Sequence, residues 1–437
     1  MTPRAGRRAG AAMTPMMNPP PYLQLRLCMF LNYCAYSIQL SSVGIAVLQV
    51  QRSFGISLVT ASTLALYKGL GIFLGAVVVG SFVKRIGYRR AMLIALGTSA
   101  AVLGLVPLVV SFDMMKLVFL VTGMCYGLIK VAMYSTIGLV SPDRKAHASL
   151  LSFVEAFYKV GSLLTFVVFA AFTDNAHAES TSWANAYYVL SALMLTALGL
   201  LFATKLDERA AQDAERKPLF QPFVDMARLA STSIALTLGL LVVATVVTEH
   251  GFMNWLPTFN TKVLNLTPSL AIQLAGFYAA WSVVGRISIG FVARRVNWFP
   301  ALMVCVVGAA AILILALWLK GDMPGETITH WRKAPLTVLL LPVAGLFVAP
   351  IFPMMHSAAL TSLPVARHST LASISVLCSS MAGAFGTPLI GLVFHYYGGV
   401  AALCSLLVPI AVLLVGITMM RRITQAPKST AFPPVRP

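Results

Sequence analysis

The chain alternates long apolar runs with short clusters of charge. A helix needs about 20 predominantly apolar residues to cross the hydrocarbon core of a bilayer. Dividing the sequence at its charge clusters and at its proline and glycine residues leaves twelve runs of sufficient length. The pattern therefore predicts an all-α membrane protein with twelve transmembrane helices. The predicted segments, numbered 1 to 12, are 22–50, 58–83, 88–111, 115–140, 147–173, 183–204, 230–255, 269–293, 298–319, 335–356, 369–396 and 400–420.

A long polar stretch divides these segments into two sets of six. Residues 205–229 carry clustered acidic and basic side chains and two prolines, which indicates a linker between two pseudo-symmetric six-helix bundles. The predicted organisation is a disordered cytosolic tail (1–21), an N-terminal bundle (22–204), a cytosolic linker (205–229), a C-terminal bundle (230–420) and a second cytosolic tail (421–437).

Composition supports a membrane location. Of the 437 residues 58% are hydrophobic and only 10% are charged, whereas soluble domains carry roughly 25% charged residues. The formal net charge of +19 would suit nucleic acid, but the lysines and arginines cluster at segment ends, as the positive-inside rule requires of cytosolic loops. We therefore predict a multi-pass protein of a bacterial inner membrane, with both termini in the cytosol. We expect it to contact the lipid bilayer, to bind no nucleic acid and to be a monomer.

Segments 2 and 8 are followed by the same pattern. A small residue lets a neighbouring helix approach closely, and a basic pair suits the cytosolic end of a helix. The two sets, at an offset of 210 residues, are Gly75, Gly80, Lys84 and Arg85, and Gly285, Gly290, Arg294 and Arg295. One copy would be a common helix ending. Two in register indicate internal duplication, which is typical of alternating-access carriers that bind substrate near the midplane between their halves.

The loop after segment 2 carries a recognisable motif. Residues 80–90 read Gly-Ser-Phe-Val-Lys-Arg-Ile-Gly-Tyr-Arg-Arg, and this resembles the Gly-x-x-x-Asp-Arg-x-Gly-Arg-Arg loop of the major facilitator superfamily, with Lys84 in place of the aspartate. The resemblance implies the twelve-helix fold of that family and a gating role for this loop and its repeat. The residues concerned are Gly80, Lys84, Arg85, Gly87, Arg89, Gly290, Arg294 and Arg295.

Motifs in the second half resemble the fucose:proton symporter subfamily. They are Ile351-Phe352-Pro353 followed by His356, the Gly-Thr-Pro-Leu-Ile-Gly run at 386–391, and residues 252–257. In the sugar-transporting members an acid in helix 1 and a glutamate in helix 4 are functionally important. An ungapped alignment puts these positions at Gly44 and Lys130, so one carboxylate is lost and the other is replaced by a cation.

Four charged residues fall inside predicted helices of the first half. An ionised side chain at the bilayer centre costs roughly 2.5–3.5 kcal/mol on insertion scales, so such residues should face a cavity. Lys68, Lys130, Glu155 and Lys159 can line one central cavity with a net charge of about +2, which favours an anion. The structural alternative is that Glu155 pairs with Lys130 or Lys159 only to hold helices together.

Other polar residues complete the predicted site. Tyr36, Gln39, Tyr126, Asn254 and Tyr278, together with the three lysines, are the candidates for binding substrate, although such residues also pack helices. Glu155, Glu249 and His250 are the candidates for proton coupling, because the protonation of a buried carboxylate responds to a bound substrate; the alternative for each carboxylate is a fixed structural ion pair. Glu249 and His250 are expected in the outer part of segment 7, whereas Arg286 is interpreted as a snorkelling or gating residue.

These features predict a proton-coupled secondary transporter of a small, carboxylate-bearing anion. The alternatives are an exporter of a drug or of a carboxylate-type siderophore, and a non-transporting sensor that has kept a carrier fold. An enzyme is the least favoured class, because no segment between the helices is long enough for a catalytic domain and no nucleophile motif, metal cluster or phosphate-binding loop occurs. We predict no catalytic residue, no metal site and no cofactor, and protons and the small-molecule substrate as the partners. The six cysteines show no metal-binding spacing.

Overall fold

The computed structural model describes residues 23–76, 87–140, 144–204, 229–292, 296–319, 326–361 and 368–425. Helices of the N-terminal half are α1 (Leu23–Ser41), α2 (Val43–Phe54), α3 (Leu58–Ser62), α4 (Leu64–Leu74), α5 (Tyr88–Leu105), α6 (Phe112–Val140), α7 (Arg144–Phe172) and α8 (Ala186–Ala203). Helices of the C-terminal half are α9 (Ser233–Lys262), α10 (Pro268–Val292), α11 (Trp298–Trp318), α12 (Leu336–Val348), α13 (Ile351–Thr361), α14 (His368–Cys404) and α15 (Leu407–Gln425). We call the side of the molecule that carries residues 55–57, 173–185 and 263–267 the outer side.

The fifteen helices occupy the twelve predicted segments. Three segments contain a pair of helices: α1 with α2, α3 with α4, and α12 with α13. Helix α14 is broken at Gly398 (φ 85°), so it fills segment 11 and also begins segment 12, which α15 completes. Each of the other seven segments contains one helix in the described ranges. Among the described residues, nine helical spans are long and apolar enough to cross a membrane, and α1 with α2 forms a tenth that bends by 42°. The prediction of an all-α, twelve-helix membrane fold is confirmed.

The bend between α1 and α2 lies at Ser42. Its hydroxyl donates a hydrogen bond to the carbonyl of Gln39 at 2.7 Å, so a side chain takes an acceptor that the continuing helix would use, a known cause of bends. The bend exposes the carbonyl groups of the last turn of α1 to partners outside the helix. One of these carbonyls, that of Leu40, accepts a hydrogen bond from Lys68.

Helix α9 is longer than predicted. Pro257 was expected to end segment 7 near residue 255, but α9 continues to Lys262 with the proline inside it. A proline removes one backbone hydrogen bond without ending a helix whose other turns are buried. The extension places Glu249 about 20 Å below the outer end of α9, at 1.5 Å per residue, and therefore near mid-membrane. The prediction that Glu249 and His250 lie in the outer part of the helix is corrected accordingly.

The repeated glycines take equivalent places in the two halves. A Cβ atom on Gly75, just after α4, would overlap the backbone of Met124 in α6, and one on Gly285 in α10 would overlap the backbone of Leu346 in α12. Each glycine therefore lets the second segment of its half approach the fourth. Gly290 lies within α10, while Gly80, Lys84, Arg85, Arg294 and Arg295 lie outside the described residues.

Candidate functional site at the interface of the bundles

The two bundles meet closely in the outer half of the molecule. In α2, Gly44 packs so tightly on α9 that a Cβ atom would overlap the backbone of Asn254. Gly69 in α4 is packed in the same way against Ala384 of α14. We call these two contacts, with the hydrogen bonds described next, the outer closure.

Hydrogen bonds at the outer end complete this closure. The backbone N–H of Ser269, at the start of α10, donates to the Asn175 side chain at 2.9 Å, and the Ser269 hydroxyl donates to the carbonyl of Ala170 at 3.1 Å. Below them, Gly276 of α10 faces Phe166 of α7. Helices from both bundles thus seal the outer side of their interface.

Five charged side chains lie below this closure, and we call them the central layer. They are Lys130 of α6, Glu155 and Lys159 of α7, Glu249 of α9 and Arg286 of α10. At 1.5 Å per residue, all five lie about 20 to 27 Å from the outer ends of their helices. All are partly exposed, as expected of charges that face a cavity between bundles.

An ion pair in the central layer joins the two bundles. Lys159 Nζ lies 3.2 Å from Glu249 Oε1, and Arg286 Nη2 lies 3.8 Å from the same oxygen. The side chains of Lys159 and Glu249 are 18% and 14% exposed. Two cations from different bundles therefore share one carboxylate.

Lys130 has a different environment. Its Nζ lies 6.0 Å from the ring centroid of Tyr126 and 5.8 Å from that of Tyr134, within the range of cation–π attraction. No acidic side chain forms a salt bridge with it in the described part of the chain. Glu155 accepts a hydrogen bond from the Tyr134 hydroxyl instead. In the described residues, Glu155 therefore forms no salt bridge with Lys130 or Lys159, contrary to the structural alternative.

Tyrosine side chains form the wall of the N-terminal bundle beside Lys130. The Tyr126 ring lies 5.7–5.9 Å from those of Tyr33, Tyr36 and Tyr158, and Tyr134 lies 6.5 Å from Tyr33. Tyr36 turns its hydroxyl away, toward Ser99 at 2.7 Å. Tyr33 is fully buried, and its hydroxyl approaches the side chain of Tyr134.

Lys68 does not join the central layer. It is 7% exposed, and its ammonium donates to the carbonyl of Leu40 at 3.2 Å. It therefore caps the end of α1, where the bend at Ser42 frees that carbonyl, and a cation at a helix C-terminus is favourable. The expectation that Lys68, Lys130 and Lys159 meet in one cavity has to be revised, because Lys68 is buried against the end of α1, about 15 Å below the outer end of its segment and nearer the outer side than the central layer.

The other predicted substrate-binding residues contact neighbouring helices. Asn254 donates to Thr387 of α14 at 2.9 Å, and Gln39 donates to Thr122 of α6 at 3.4 Å. Tyr278 stacks on Phe252 with centroids 5.6 Å apart. Within the described residues, Nδ1 of the His250 ring has no hydrogen-bond partner.

Besides Gly290, the structure describes Gly87 and Arg89 among the predicted gating residues. Gly87 precedes α5 with φ 93°, a conformation that favours glycine. Arg89 donates to the carbonyl of Phe202 at 2.8 Å, which fixes the start of α5 against the end of α8.

Sequence reasoning missed three residues of the site. Arg286 was placed near a helix end, and Tyr33 and Tyr158 were not selected. The available signal was spacing, since Tyr158 precedes Lys159 and Tyr33 lies three residues before Tyr36. The pairing of Arg286 with Glu249 had no sequence signal, because it depends on which helices are neighbours.

Comparison with known proteins supports the fold assignment. A family model described as the Major Facilitator Superfamily matches residues 27–331, which is more than half of the chain. A search of curated protein sequences finds no match.

Solved structures match nearly the whole chain. A bacterial homologue of the human lysosomal transporter Spinster, in an inward-facing and occupied conformation, has a TM-score of 0.71 at 14% identity and covers 96% of this chain and 100% of its own. The nucleoside transporter NupG has a TM-score of 0.67 at 15% identity, covering 93% and 100%. FucP in its outward conformation has a TM-score of 0.61 at 15% identity, covering 92% and 99%.

At such identities the likeness establishes the fold, and FucP, a fucose:proton symporter of E. coli, confirms the predicted resemblance at that level. The proteins concerned are transporters, not enzymes. Because the family model spans most of the two-bundle fold, the chain belongs to the major facilitator superfamily of membrane transporters.

Proposed function

We propose that this protein is a proton-coupled secondary transporter of a small, carboxylate-bearing anion. In the proposal, substrate binds between the bundles at the central layer and crosses a bacterial inner membrane by alternating access, with both termini of the chain in the cytosol. The binding residues are Lys130, Lys159 and the tyrosines beside them.

The excess of cations in the central layer is the observation that carries this proposal. Lys130, Lys159 and Arg286 face two carboxylates, those of Glu155 and Glu249, and Lys130 has no salt-bridge partner in the described ranges. A charge in a site of low dielectric constant is costly unless it is paired. A substrate anion would supply the missing partner, and apolar walls would strengthen its attraction to the site.

The tyrosines beside Lys130 suit the remainder of such a substrate. Aromatic rings offer apolar faces, and tyrosine hydroxyls can donate hydrogen bonds. A neutral sugar would not need the unpaired ammonium of Lys130. The absence of a side chain at Gly44 and the cation at Lys130 both support an anion over a fucose-like sugar.

Ligand-induced thermal stabilisation tests the anion directly. Purified protein should be stabilised by one or more of acetate, benzoate, succinate and citrate, and not by L-fucose. Lys130→Gln should weaken the binding of the stabilising anion at least about tenfold, since it removes a charged contact. The matched control is Lys116→Gln, at the outer end of α6, where the lysine pairs with Asp113 at 2.8 Å. Stabilisation by L-fucose alone would overturn the proposal.

Uptake into proteoliposomes tests coupling and direction. The stabilising anion should accumulate faster under an inward proton gradient, and Glu155→Gln or Glu249→Gln should reduce this gradient dependence. Uptake driven equally well with and without the gradient would contradict proton coupling. Transport only outward would favour the exporter, and binding without transport would favour the sensor.

A further inference from the structure

The carboxylate of Glu249 occupies a position that a substrate carboxylate would suit. It lies 3.2 Å from Lys159 and 3.8 Å from Arg286. Lys159 belongs to the N-terminal bundle, and Glu249 and Arg286 belong to the C-terminal bundle. The protein's own side chain therefore provides the anion between two cations at the interface.

Donors around Glu249 are used incompletely. The distance of 3.8 Å from Arg286 exceeds hydrogen-bond range, and the Nε of Arg286 has no hydrogen-bond partner among the residues that the structure describes. The Tyr278 side chain is only 1% exposed, and its hydroxyl approaches the side chain of Ser282 and interacts electrostatically with both Glu249 and Arg286. A guanidinium can bind a carboxylate through two parallel hydrogen bonds. The site can therefore hold an oxyanion more completely than it holds Glu249.

We infer that Glu249 is an internal substitute for the substrate carboxylate, and that Lys159, Arg286 and Tyr278 form the receptor from which substrate displaces it. This inference rests on the proposed function and specifies its binding chemistry. It assigns Arg286 as a substrate-binding residue. It also requires the substrate to carry at least one carboxylate.

Displacement links anion binding to a proton. A carboxylate that loses both cations in a poorly hydrated site is destabilised, so Glu249 then binds one proton and becomes neutral. The arriving substrate contributes one negative charge and the proton removes one, so the net charge of the site is unchanged. The exchange predicts one proton for each carboxylate bound at this receptor.

The surroundings of Glu249 are consistent with this exchange. Charged and titratable groups reach it from every packed element for which the structure describes such a group: Lys159 and Tyr158 of α7, Arg286 and Tyr278 of α10, and the neighbouring His250. Lys68 of α4 lies beyond His250 and interacts with it. Lys159 and Arg286 stabilise the negative charge of Glu249 until an anion competes for them.

Anion affinity measured as a function of pH tests the inference. In the wild-type protein, the affinity for the stabilising anion of the panel should fall about tenfold for each unit of rising pH, because one proton is taken up on binding. Glu249→Gln should bind that anion at least tenfold more tightly at pH 8, with no dependence on pH. Asp113→Asn, which neutralises a carboxylate that is 89% exposed, should behave as the wild type.

Arg286→Gln provides the second variant. It should weaken anion binding at least tenfold in the wild-type and Glu249→Gln backgrounds alike. If Glu249→Gln does not fold, Glu249→Asp, whose shorter side chain competes less well for the cations, should bind the anion more tightly than the wild type.

The results separate this inference from the proposed function. Binding of anions by the wild type, with no gain in affinity in Glu249→Gln and no loss in Arg286→Gln, would overturn the internal substitute and leave an anion transporter. Failure of every anion to bind the wild type and the Glu249 variants would overturn both.

Discussion

The outer closure and the central layer join the same two bundles by different means. At the outer closure, Gly44 and Gly69 bring helix backbones together with no charge involved. In the central layer, Lys159 and Glu249 meet through charged side chains that remain partly exposed. One contact depends on shape and the other on protonation and on competing ions.

This difference suggests a division of labour in the transport cycle. Close packing of small residues is disrupted by any added atom but does not depend on a bound solute. It can therefore close the outer side whether or not a substrate is bound. An ion pair between bundles can be broken by a competing anion or by a proton, so it can report the contents of the site. The predictions below test this division, beginning with the largest expected effect.

Adding one methyl group to the outer closure should have the largest effect. Gly44→Ala places a Cβ atom on the backbone of Asn254, and overpacking costs about 1–3 kcal/mol, or about a 5- to 150-fold shift away from the closed state. Transport into proteoliposomes should fall accordingly. Gly199→Ala in α8, where nothing lies within 4 Å, is the matched control. Equal transport by both variants would show that the bundles do not need this contact.

Lys159→Gln should have the next largest effect. It leaves Glu249 with Arg286 alone. Removing one partner costs about 3–5 kcal/mol in a fully buried pair and about 0–1 kcal/mol in an exposed one, so we expect about 1–2 kcal/mol for this partly exposed pair. The melting temperature should fall by several degrees, and Glu249→Gln in the same chain should restore part of the loss. Lys116→Gln should leave the melting temperature unchanged. A double variant that is no more stable than Lys159→Gln would argue against the pair.

Lys68→Met should lower stability without changing anion binding. The variant loses the hydrogen bond from the ammonium to the carbonyl of Leu40, at a cost of about 1–3 kcal/mol, which thermal unfolding measures. Anion affinity should stay within about twofold of the wild type. A loss as large as that of Lys130→Gln would restore Lys68 to the binding site, as the sequence alone predicts.

Asp174→Asn should have the smallest effect. In the outer loop, the N–H groups of Ala176 and His177 and the His177 ring hold the pKa of Asp174 below its usual value. The ionised form is thus favoured in the folded loop, so its small stabilisation is present above the usual pKa and is lost as the pH falls through the lowered one. The variant should reduce the melting temperature slightly at pH 7 and match the wild type in acid. A larger difference in acid than at neutral pH would contradict this assignment.

The helices and the bundle repeat were predictable from the sequence because they depend on local signals. Apolar runs of about 20 residues define the spans, and the glycines of the repeat recur at Gly75 and Gly285 in equivalent contacts. The end of α9 was not predictable, since Pro257 marks a boundary in most sequences and is tolerated here by a buried helix.

The candidate site was predictable in its residue types and less so in its pairings. Lys130, Glu155, Lys159 and Glu249 attracted attention because charge inside a span is costly. Which charge meets which depends on the packing of α7 against α9 and α10, and that is a property of the tertiary structure. Lys68 shows why these pairings could not be predicted. Its partner is a backbone carbonyl that the bend at Ser42 frees, and no sequence motif predicts that bend.

A β-bridge joins Leu266 to Ile328 on the outer side of the C-terminal bundle, and it has a mechanical consequence for the transport cycle. The N–H of Ile328 donates to the carbonyl of Asn265 at 2.9 Å, and the N–H of Thr267 donates to the carbonyl of Ile328 at 3.0 Å. These bonds fasten the turn between α9 and α10 to the segment that leads into α12. Backbone hydrogen bonds between these two connections therefore stabilise the outer rim of the C-terminal bundle. When the outer side opens, this rim should keep its shape, and the hydrogen bond between Asn175 and Ser269 should break first.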